Sequence, residues 1–194
     1  MSFISRFFRP KRRGPEYVIP VDWMPIFASP GGIIRRITVH WTAGSHIASA
    51  LDCEHYHYLI EGSGKIVRGN FTPLNNLPPL REGAYAAHTR SANSRNIGIA
   101  LCAMHGATES PYEAGEYPIN QMQWLQLTKL LATLCHRYDI AVTDQSVLTH
   151  AEVQNNLGIW QRGKWDIAYL PFEKPVFGAK NIGDMMRSEV VSVL

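Results

Sequence analysis

Apolar stretches bounded by turn residues predict several buried strands in this chain. Residues 33–41 are rich in isoleucine and valine, and the turn sequence Thr42-Ala43-Gly44-Ser45 ends the run. Residues 97–102 form a second apolar run, and a shorter one at 147–149 leads directly into a histidine. Continuous apolar runs of this length are typical of buried strands.

A turn-forming segment between two short apolar stretches predicts a β-hairpin. Residues 56–60 and 65–68 carry aromatic and β-branched side chains on either side of Glu61-Gly62-Ser63-Gly64. Glycine-containing turns between such stretches favour a hairpin connection. Between the first strand and this hairpin we expect a short helix from about residue 46 to residue 55, with Ser45 as its N-cap.

The strongest helical pattern lies at residues 122–138. Its apolar positions are Trp124, Leu125, Leu127, Leu131, Leu134, Cys135 and Tyr138. Gln126, Lys129 and Arg137 fall on the opposite side, so the segment is predicted to be an amphipathic helix with these three residues facing water.

Polar and proline-containing stretches predict the long connections. Residues 70–83 contain three prolines, and residues 151–163 are rich in glycine, asparagine and glutamine, so both are predicted to be loops. Strands mixed with helices and a hairpin favour an α/β fold of the mixed α+β kind, in which helices flank a central, mostly β-sheet layer.

Length and composition are those of one globular domain. Of the 194 residues, 45% are hydrophobic and 18% are charged, which differs from the composition of disordered chains. The sequence has no apolar run near the ~18 residues that span a bilayer, so a membrane protein is excluded. The three cysteines lack C-x-x-C spacing, which predicts reduced thiols and neither a disulfide framework nor a cysteine zinc module.

Basic residues are concentrated at the amino terminus. Five of the 19 basic residues lie in the first thirteen positions, with no acidic residue among them: Arg6, Arg9, Lys11, Arg12 and Arg13. We predict a basic tail and extended lead-in at residues 1–30 and a single domain at residues 31–194. The net charge of only +3 argues against a nucleic-acid partner. The tail is either a solvated segment or a contact for an anionic membrane surface.

Two of the eight histidines stand at the ends of predicted strands. His40 closes the first apolar run, His150 follows the run at 147–149, and Asp166 comes 16 residues after His150. Two imidazoles, one carboxylate and an open position form the ligand set of a catalytic zinc ion. Histidines at strand ends also serve as hydrogen-bonded structural residues, so spacing alone leaves both interpretations open.

A set of short motifs in a fixed order resembles the zinc-dependent N-acetylmuramoyl-L-alanine amidases of the type-2 family. This family includes bacteriophage amidase lysins and is related to the peptidoglycan recognition proteins. The resemblance covers roughly residues 33 to 170. It is carried by residues 37–44 (ITVHWTAG), 55–60 (HYHYLI), 64–67 (GKIV), His88 with 96–99 (NIGI), 148–150 (LTH) and 164–166 (KWD).

The resemblance implies a fold, a cofactor and a set of site residues. It implies the peptidoglycan recognition protein-like fold, with Zn²⁺ held by His40, His150 and Asp166. By the same resemblance Tyr56 and Lys164 are catalytic residues that stabilise the reacting oxygen, and His88 lines the substrate groove.

One position departs from the family pattern. Some family members carry a glutamate as general base in the strand after Ile-Gly-Ile, where this chain has Ala100. Glu152, two residues after a proposed ligand, is one substitute, although it could instead orient His150 or face water. Family members that rely on the tyrosine and lysine offer another route.

The resemblance further implies hydrolysis of the amide between N-acetylmuramic acid and L-alanine of the peptidoglycan stem peptide. We expect a monomeric phage or prophage endolysin, made in the cytoplasm without a signal peptide and acting on the cell wall after release. The alternatives are a cytoplasmic muropeptide-recycling amidase, an effector aimed at competing cells, and a non-catalytic peptidoglycan-binding module that would have lost a metal ligand.

Overall fold

The computed structural model describes residues 33–194, which form a five-stranded mixed sheet with helices packed on it. The mixed α+β architecture predicted from the sequence is confirmed. The elements in chain order are β1 (Arg36–Trp41), α1 (Ala50–His55), β2 (Tyr58–Ile60), β3 (Ile66–Arg68), β4 (Asn96–Leu101), α2 (Gln121–Tyr138), β5 (Val147–Thr149), α3 (His150–Leu157), β6 (Tyr169–Leu170), β7 (Val176–Phe177) and α4 (Ala179–Val191). The predicted tail and lead-in at residues 1–30 lie outside the described residues.

Strand β1 lies between β4 and β5 in the sheet, whose strand order is β3-β2-β4-β1-β5. It pairs in parallel with β4 on one side and β5 on the other, and β2 pairs in parallel with β4. The predicted hairpin is formed by the antiparallel pair β2 and β3. Val39 pairs with Thr149, so the next position along each chain brings His40 beside His150 at the carboxyl edge of the sheet.

The two faces of the sheet have different compositions because side chains alternate along each strand. On one face, Ile37 and Val39 of β1 join the main hydrophobic core together with residues of α2 and α4. On the other face lie polar residues such as Thr38 and His40, and a small apolar cluster that includes Ala100. The helices therefore cover the apolar face, and the polar face is left to loops and α1.

Helix α2 forms where predicted but is rotated relative to the prediction. Gln126 was expected to face water and is 1% exposed, whereas Leu125 was expected to be buried and is 49% exposed. Gln126 packs instead beside Gly64 in the hairpin turn, where φ is +83°. Gln123 is also buried, because its Nε2 donates to the carbonyl oxygens of Ile60 and Cys102, each at 2.9 Å.

Helix α1 begins later than predicted. Ser49, not Ser45, is its N-cap: the Ser49 Oγ accepts a hydrogen bond from the backbone N–H of Asp52 at 3.1 Å, and the Asp52 carboxylate accepts from that of Ser49 at 2.9 Å. This reciprocal capping box stabilises the first turn and explains why the helix does not begin near residue 46.

Helices α3 and α4 were not predicted. Helix α3 follows β5 directly, in a stretch predicted to be a loop, and the backbone N–H of Thr149 donates to the Glu152 carboxylate at 2.9 Å in its capping box. It ends at Gly158, whose φ is +68°.

Within residues 33–194, no helix is long and apolar enough to cross a membrane.

A buried ion pair fixes α4 against α3 and β5. The two guanidinium amino groups of Arg187 donate to the Glu152 carboxylate at 2.9 and 3.1 Å, and one of them also donates to the carbonyl oxygen of Val147 at 3.0 Å. Both side chains are nearly inaccessible to solvent. Gly183 allows this approach, because a side chain there would collide with Glu152. The pair stabilises the segment that carries His150.

Replacing Arg187 by Met should destabilise the protein by about 3 to 5 kcal/mol, because the Glu152 carboxylate would remain buried without its cation. Urea denaturation measures the change. The matched control is Lys180→Met, which removes an exposed ion pair with Asp184 and should leave the unfolding midpoint nearly unchanged. Equal and small effects in the two variants would contradict the structural role of the buried pair.

Candidate metal centre

Three side chains from separate parts of the chain converge at the carboxyl edge of the sheet. The Nδ1 atoms of His40 and His150 lie 3.0 Å apart. The Oδ2 atom of Asp166 lies 3.1 Å from the first and 3.0 Å from the second. All three residues are buried, and their ligand atoms meet the spacing expected of a metal site. The residues expected from the sequence to be ligands are thus brought together.

The backbone explains how the three residues meet. His40 is the penultimate residue of β1, and His150 is the first residue of α3, directly after the neighbouring strand β5. Asp166 lies in the loop before β6, and its carbonyl oxygen accepts a hydrogen bond of 2.6 Å from the backbone N–H of Ala151. That bond fixes the loop to the first turn of α3 and brings the carboxylate to the two imidazoles.

The donor set fits a divalent metal ion. Ligand atoms at about 2.0 to 2.1 Å in a tetrahedral arrangement lie about 3.3 Å from one another, close to the separations found here. Burial, with the adjacent His150, lowers the pKa of His40 to about 4. Burial alone would raise the pKa of Asp166, but the close contacts of its carboxylate with the His150 and His40 side chains lower it to about 2. Near neutral pH, His40 is therefore neutral and Asp166 ionised, as ligands must be.

Gln161 determines which nitrogen of His150 faces the cluster. The Nε2 of Gln161 donates to the carbonyl oxygens of Arg90 at 3.0 Å and Ile159 at 3.3 Å, so its Oε1 is turned toward the Nε2 of His150, 3.0 Å away. Because an amide oxygen only accepts hydrogen bonds, the Nε2 of His150 carries the proton. The lone pair of Nδ1 is consequently directed at His40 and Asp166.

His88 and Thr89 orient His40 in the same way. The Nε2 of His88 donates to the carbonyl oxygen of Asn96 at 3.3 Å, which leaves its Nδ1 as an acceptor 3.2 Å from the Nε2 of His40. The Thr89 hydroxyl lies 3.3 Å from that same His40 nitrogen. Burial and the adjacent His40 hold the pKa of His88 well below its usual value. His88 reaches this position over Gly98, where any side chain would collide with its ring.

A pocket of about 360 Å³ opens beside the cluster. His88, predicted to line the substrate groove, forms part of its wall together with His150 and Gln161. Lys164 is exposed on the same wall, and its charge contributes to the lowered pKa of His40. A ligand in this pocket would therefore reach both an imidazole of the cluster and an ammonium group.

Tyr56 packs against the ring of His40. The centres of the two rings are 5.2 Å apart and their planes are inclined by 46°. Burial, and to a smaller extent the charge of Asp166, raises the pKa of the Tyr56 phenol. The phenol therefore keeps its proton and can act as a hydrogen-bond donor near the cluster.

The structure gives Ala100 and Glu152 no part in proton transfer. Ala100 is the β4 partner of His40 in the sheet register and is completely buried in a small apolar cluster. The Glu152 carboxylate is bound by Arg187 and by the backbone N–H of Thr149, so it serves the packing of α3 and α4. Glu152 is 2% exposed, so it does not face water, and its contacts with Arg187 and Thr149 give it a packing role that the sequence did not indicate.

His57 is a structural histidine. Its Nδ1 accepts a hydrogen bond of 2.9 Å from the backbone N–H of Gly98, and its Nε2 donates to the Oδ1 of Asn76 at 3.0 Å. Burial lowers its pKa to about 4. Gln161 and Thr89, by contrast, contact the proposed ligands and were missed, because no motif of the sequence distinguishes them.

The sequence matches the family described as N-acetylmuramoyl-L-alanine amidase over residues 30–167. No curated protein matches it significantly.

Several solved structures are similar to this chain. One is the N-acetylmuramoyl-L-alanine amidase LysC from Clostridium intestinale, with 20% identity, 77% of this chain and 89% of that chain covered, and a TM-score of 0.43. Another is the N-acetylmuramyl-L-alanine amidase AmiD from E. coli in complex with anhydro-N-acetylmuramic acid-L-Ala-D-gamma-Glu-L-Lys, with 19% identity, coverages of 72% and 52%, and a TM-score of 0.45. A third is the Ph2119 endolysin from a Thermus scotoductus bacteriophage, with 21% identity, coverages of 63% and 75%, and a TM-score of 0.42.

The family match spans more than half of the chain and contains all three residues of the buried cluster. The resemblance seen in the sequence motifs is confirmed, and the chain belongs to the N-acetylmuramoyl-L-alanine amidase family.

Proposed function

We propose that this protein is a zinc-dependent amidase that cleaves the bond between the lactyl group of N-acetylmuramic acid and the L-alanine of the peptidoglycan stem peptide. The observation that carries the proposal is the convergence of His40, His150 and Asp166, with the outer nitrogen of each imidazole held by a protein acceptor. Two imidazoles and one carboxylate leave a position open for water or substrate, which is the arrangement of catalytic zinc.

The zinc ion, when bound, would polarise the scissile carbonyl and activate a water molecule. The protein contributes orientation and charge. Gln161 and His88 keep the ligand nitrogens turned inward. Lys164 would stabilise negative charge on the carbonyl oxygen, and Tyr56 would donate a hydrogen bond to it, since its phenol stays protonated. Ala100 has no group that could accept a proton, so this strand position contributes no general base.

We further propose that the intact cell wall, rather than a soluble muropeptide, is the substrate, with a phage or prophage endolysin as the setting. The basic residues at positions 6–13 favour this choice, because an anionic envelope attracts them and a small soluble substrate does not require them. A purely binding function is disfavoured, because all three proposed ligands are retained in one cluster.

Digestion of purified sacculi should release peptides with a free L-alanine amino terminus and leave glycan strands intact. Asp166→Ala should abolish this release and lower the zinc content, because loss of a ligand removes the ion that activates the water. Mass spectrometry of the products and metal analysis of both proteins are the measurements. New reducing sugar ends without new amino groups would contradict the assignment. Faster turnover of soluble anhydromuropeptides than of sacculi would favour the recycling alternative.

Gln161→Leu should weaken zinc binding by about 10- to 100-fold, because the Nε2 proton of His150 loses its acceptor. Competition with a chromophoric chelator measures the dissociation constant. Gln145→Leu is the matched control, because the Gln145 side chain is exposed and bonds only to the carbonyl oxygen of Asn156 among the described residues. Unchanged zinc affinity in Gln161→Leu would show that this contact does not orient the ligand.

Lys164→Ala and Tyr56→Phe should each lower turnover on sacculi by about 10²- to 10³-fold while zinc content and melting temperature stay near those of the parent protein. Loss of a donor to the developing oxyanion is the physical reason. Lys174→Ala, at another exposed lysine, serves as the control and should retain full activity. Near-parental turnover in both test variants would assign the stabilisation of the oxyanion to other groups.

A further inference from the structure

Two arginines that line the pocket lie over the ring of one exposed tryptophan. The guanidinium carbons of Arg90 and Arg162 lie 5.5 and 5.6 Å from the ring centre of Trp160. The Trp160 side chain is 62% exposed, so burial of the indole does not explain its position. Cation–π contacts of this kind hold a guanidinium group in place while leaving its N–H edge available to a ligand.

Neither guanidinium has a carboxylate partner among residues 33–194. The ion pairs there join other cations, namely Lys65, Lys180 and Arg187, to acidic side chains. Arg90, Arg162 and Lys164 nevertheless line one pocket together. Three like charges around one cavity repel one another, and a bound anion would relieve that repulsion.

Gln161 fixes the position of the pocket wall that carries Arg90 and Arg162 relative to the proposed metal ligands. Its side chain bonds to His150 through Oε1 and to the carbonyl oxygen of Arg90 through Nε2, at 3.0 Å in each case. The loop that carries Arg90 and the loop that carries Arg162 are thereby joined beside His150. An anion bound by the two arginines would lie a short, fixed distance from the bond being cleaved.

The chemistry of the stem peptide identifies the anion. Its second residue, D-glutamate, continues the peptide through its γ-carboxyl group, so its α-carboxylate is free. This carboxylate follows the scissile amide by two residues, a span of about 7 Å in an extended chain. It is therefore the first negative charge on the peptide side of the bond, and guanidinium groups bind carboxylates through paired hydrogen bonds.

We propose that Arg90 and Arg162, supported by Trp160, form a subsite for the free α-carboxylate of the second stem-peptide residue. This inference rests on the proposed amidase function and extends it to substrate choice. The subsite places the peptide side of the scissile bond in the pocket beside His150. The enzyme consequently prefers stems with a free α-carboxylate to stems in which this group is an amide.

The test compares two sacculus preparations that are identical except that the α-carboxyl of the D-glutamate is free in one and amidated in the other. The parent protein should show a kcat/KM about 10- to 100-fold higher on the free-carboxylate form. In the double variant Arg90→Gln/Arg162→Gln the ratio should fall to about one, with zinc content and melting temperature unchanged. The ratio is measured within each variant, so a general loss of stability does not move it.

Arg81→Gln is the matched control. Arg81 is exposed in the connection between β3 and β4, which also carries Arg90, but it does not line the pocket. It should retain the parental ratio. Equal rates on the two substrates in the parent protein, or an equal loss on both in the double variant, would overturn the subsite. The second result would instead indicate a non-selective attraction to the anionic wall. Release of no L-alanine amino termini from either substrate would overturn the amidase function, and this inference with it.

Discussion

Two imidazole nitrogens and one carboxylate oxygen meet within 3.1 Å of one another at the carboxyl edge of the sheet, and the rest of the structure supports that meeting point. Electron pairs this close repel unless a cation or a proton lies between them, so the arrangement requires a strong framework. Parallel pairing of β1 with β5 provides it by bringing His40 beside His150. The hydrogen bond from the backbone N–H of Ala151 to the Asp166 carbonyl oxygen brings the third proposed ligand to the other two.

The two faces of the sheet have different roles: one face packs the hydrophobic core, and the other carries the residues around the proposed metal site. One face of the sheet is closed by α2 and α4 around a continuous apolar core. The buried pair of Glu152 and Arg187 connects α4 to the same helix that begins with His150. On the other face, loops carry Gln161, His88 and Thr89 to the outer nitrogens of the two imidazoles. Each of the two histidines is thus positioned by the packing of the sheet and its helices and oriented by a hydrogen bond to its Nε2.

The sequence predicted the strands of the five-stranded sheet, including the hairpin, and α2, because their apolar patterns are strong and local, but it did not predict the short strands β6 and β7. It also indicated His40, His150 and Asp166, since strand ends and family motifs are local features. Helix α3 was not predicted, although Thr149 and Glu152 form a capping box and have the spacing that marks a helix N-terminus in the sequence. The part played by Gln161 could not be predicted, because it depends on the carbonyl oxygen of Arg90, 71 residues earlier in the chain.

In the proposed metal site, both histidines would bind the ion through Nδ1, because hydrogen bonds to His88 and Gln161 hold their Nε2 protons. Long-range ¹H–¹⁵N correlation spectra of the histidine rings, recorded before and after addition of Zn²⁺, test it most directly. In His40 and His150 we expect the Nε2 to stay protonated while the Nδ1 resonance shifts to that of a metal-bound nitrogen. Protonation at Nδ1 with zinc on Nε2, or no change in either ring, would contradict it.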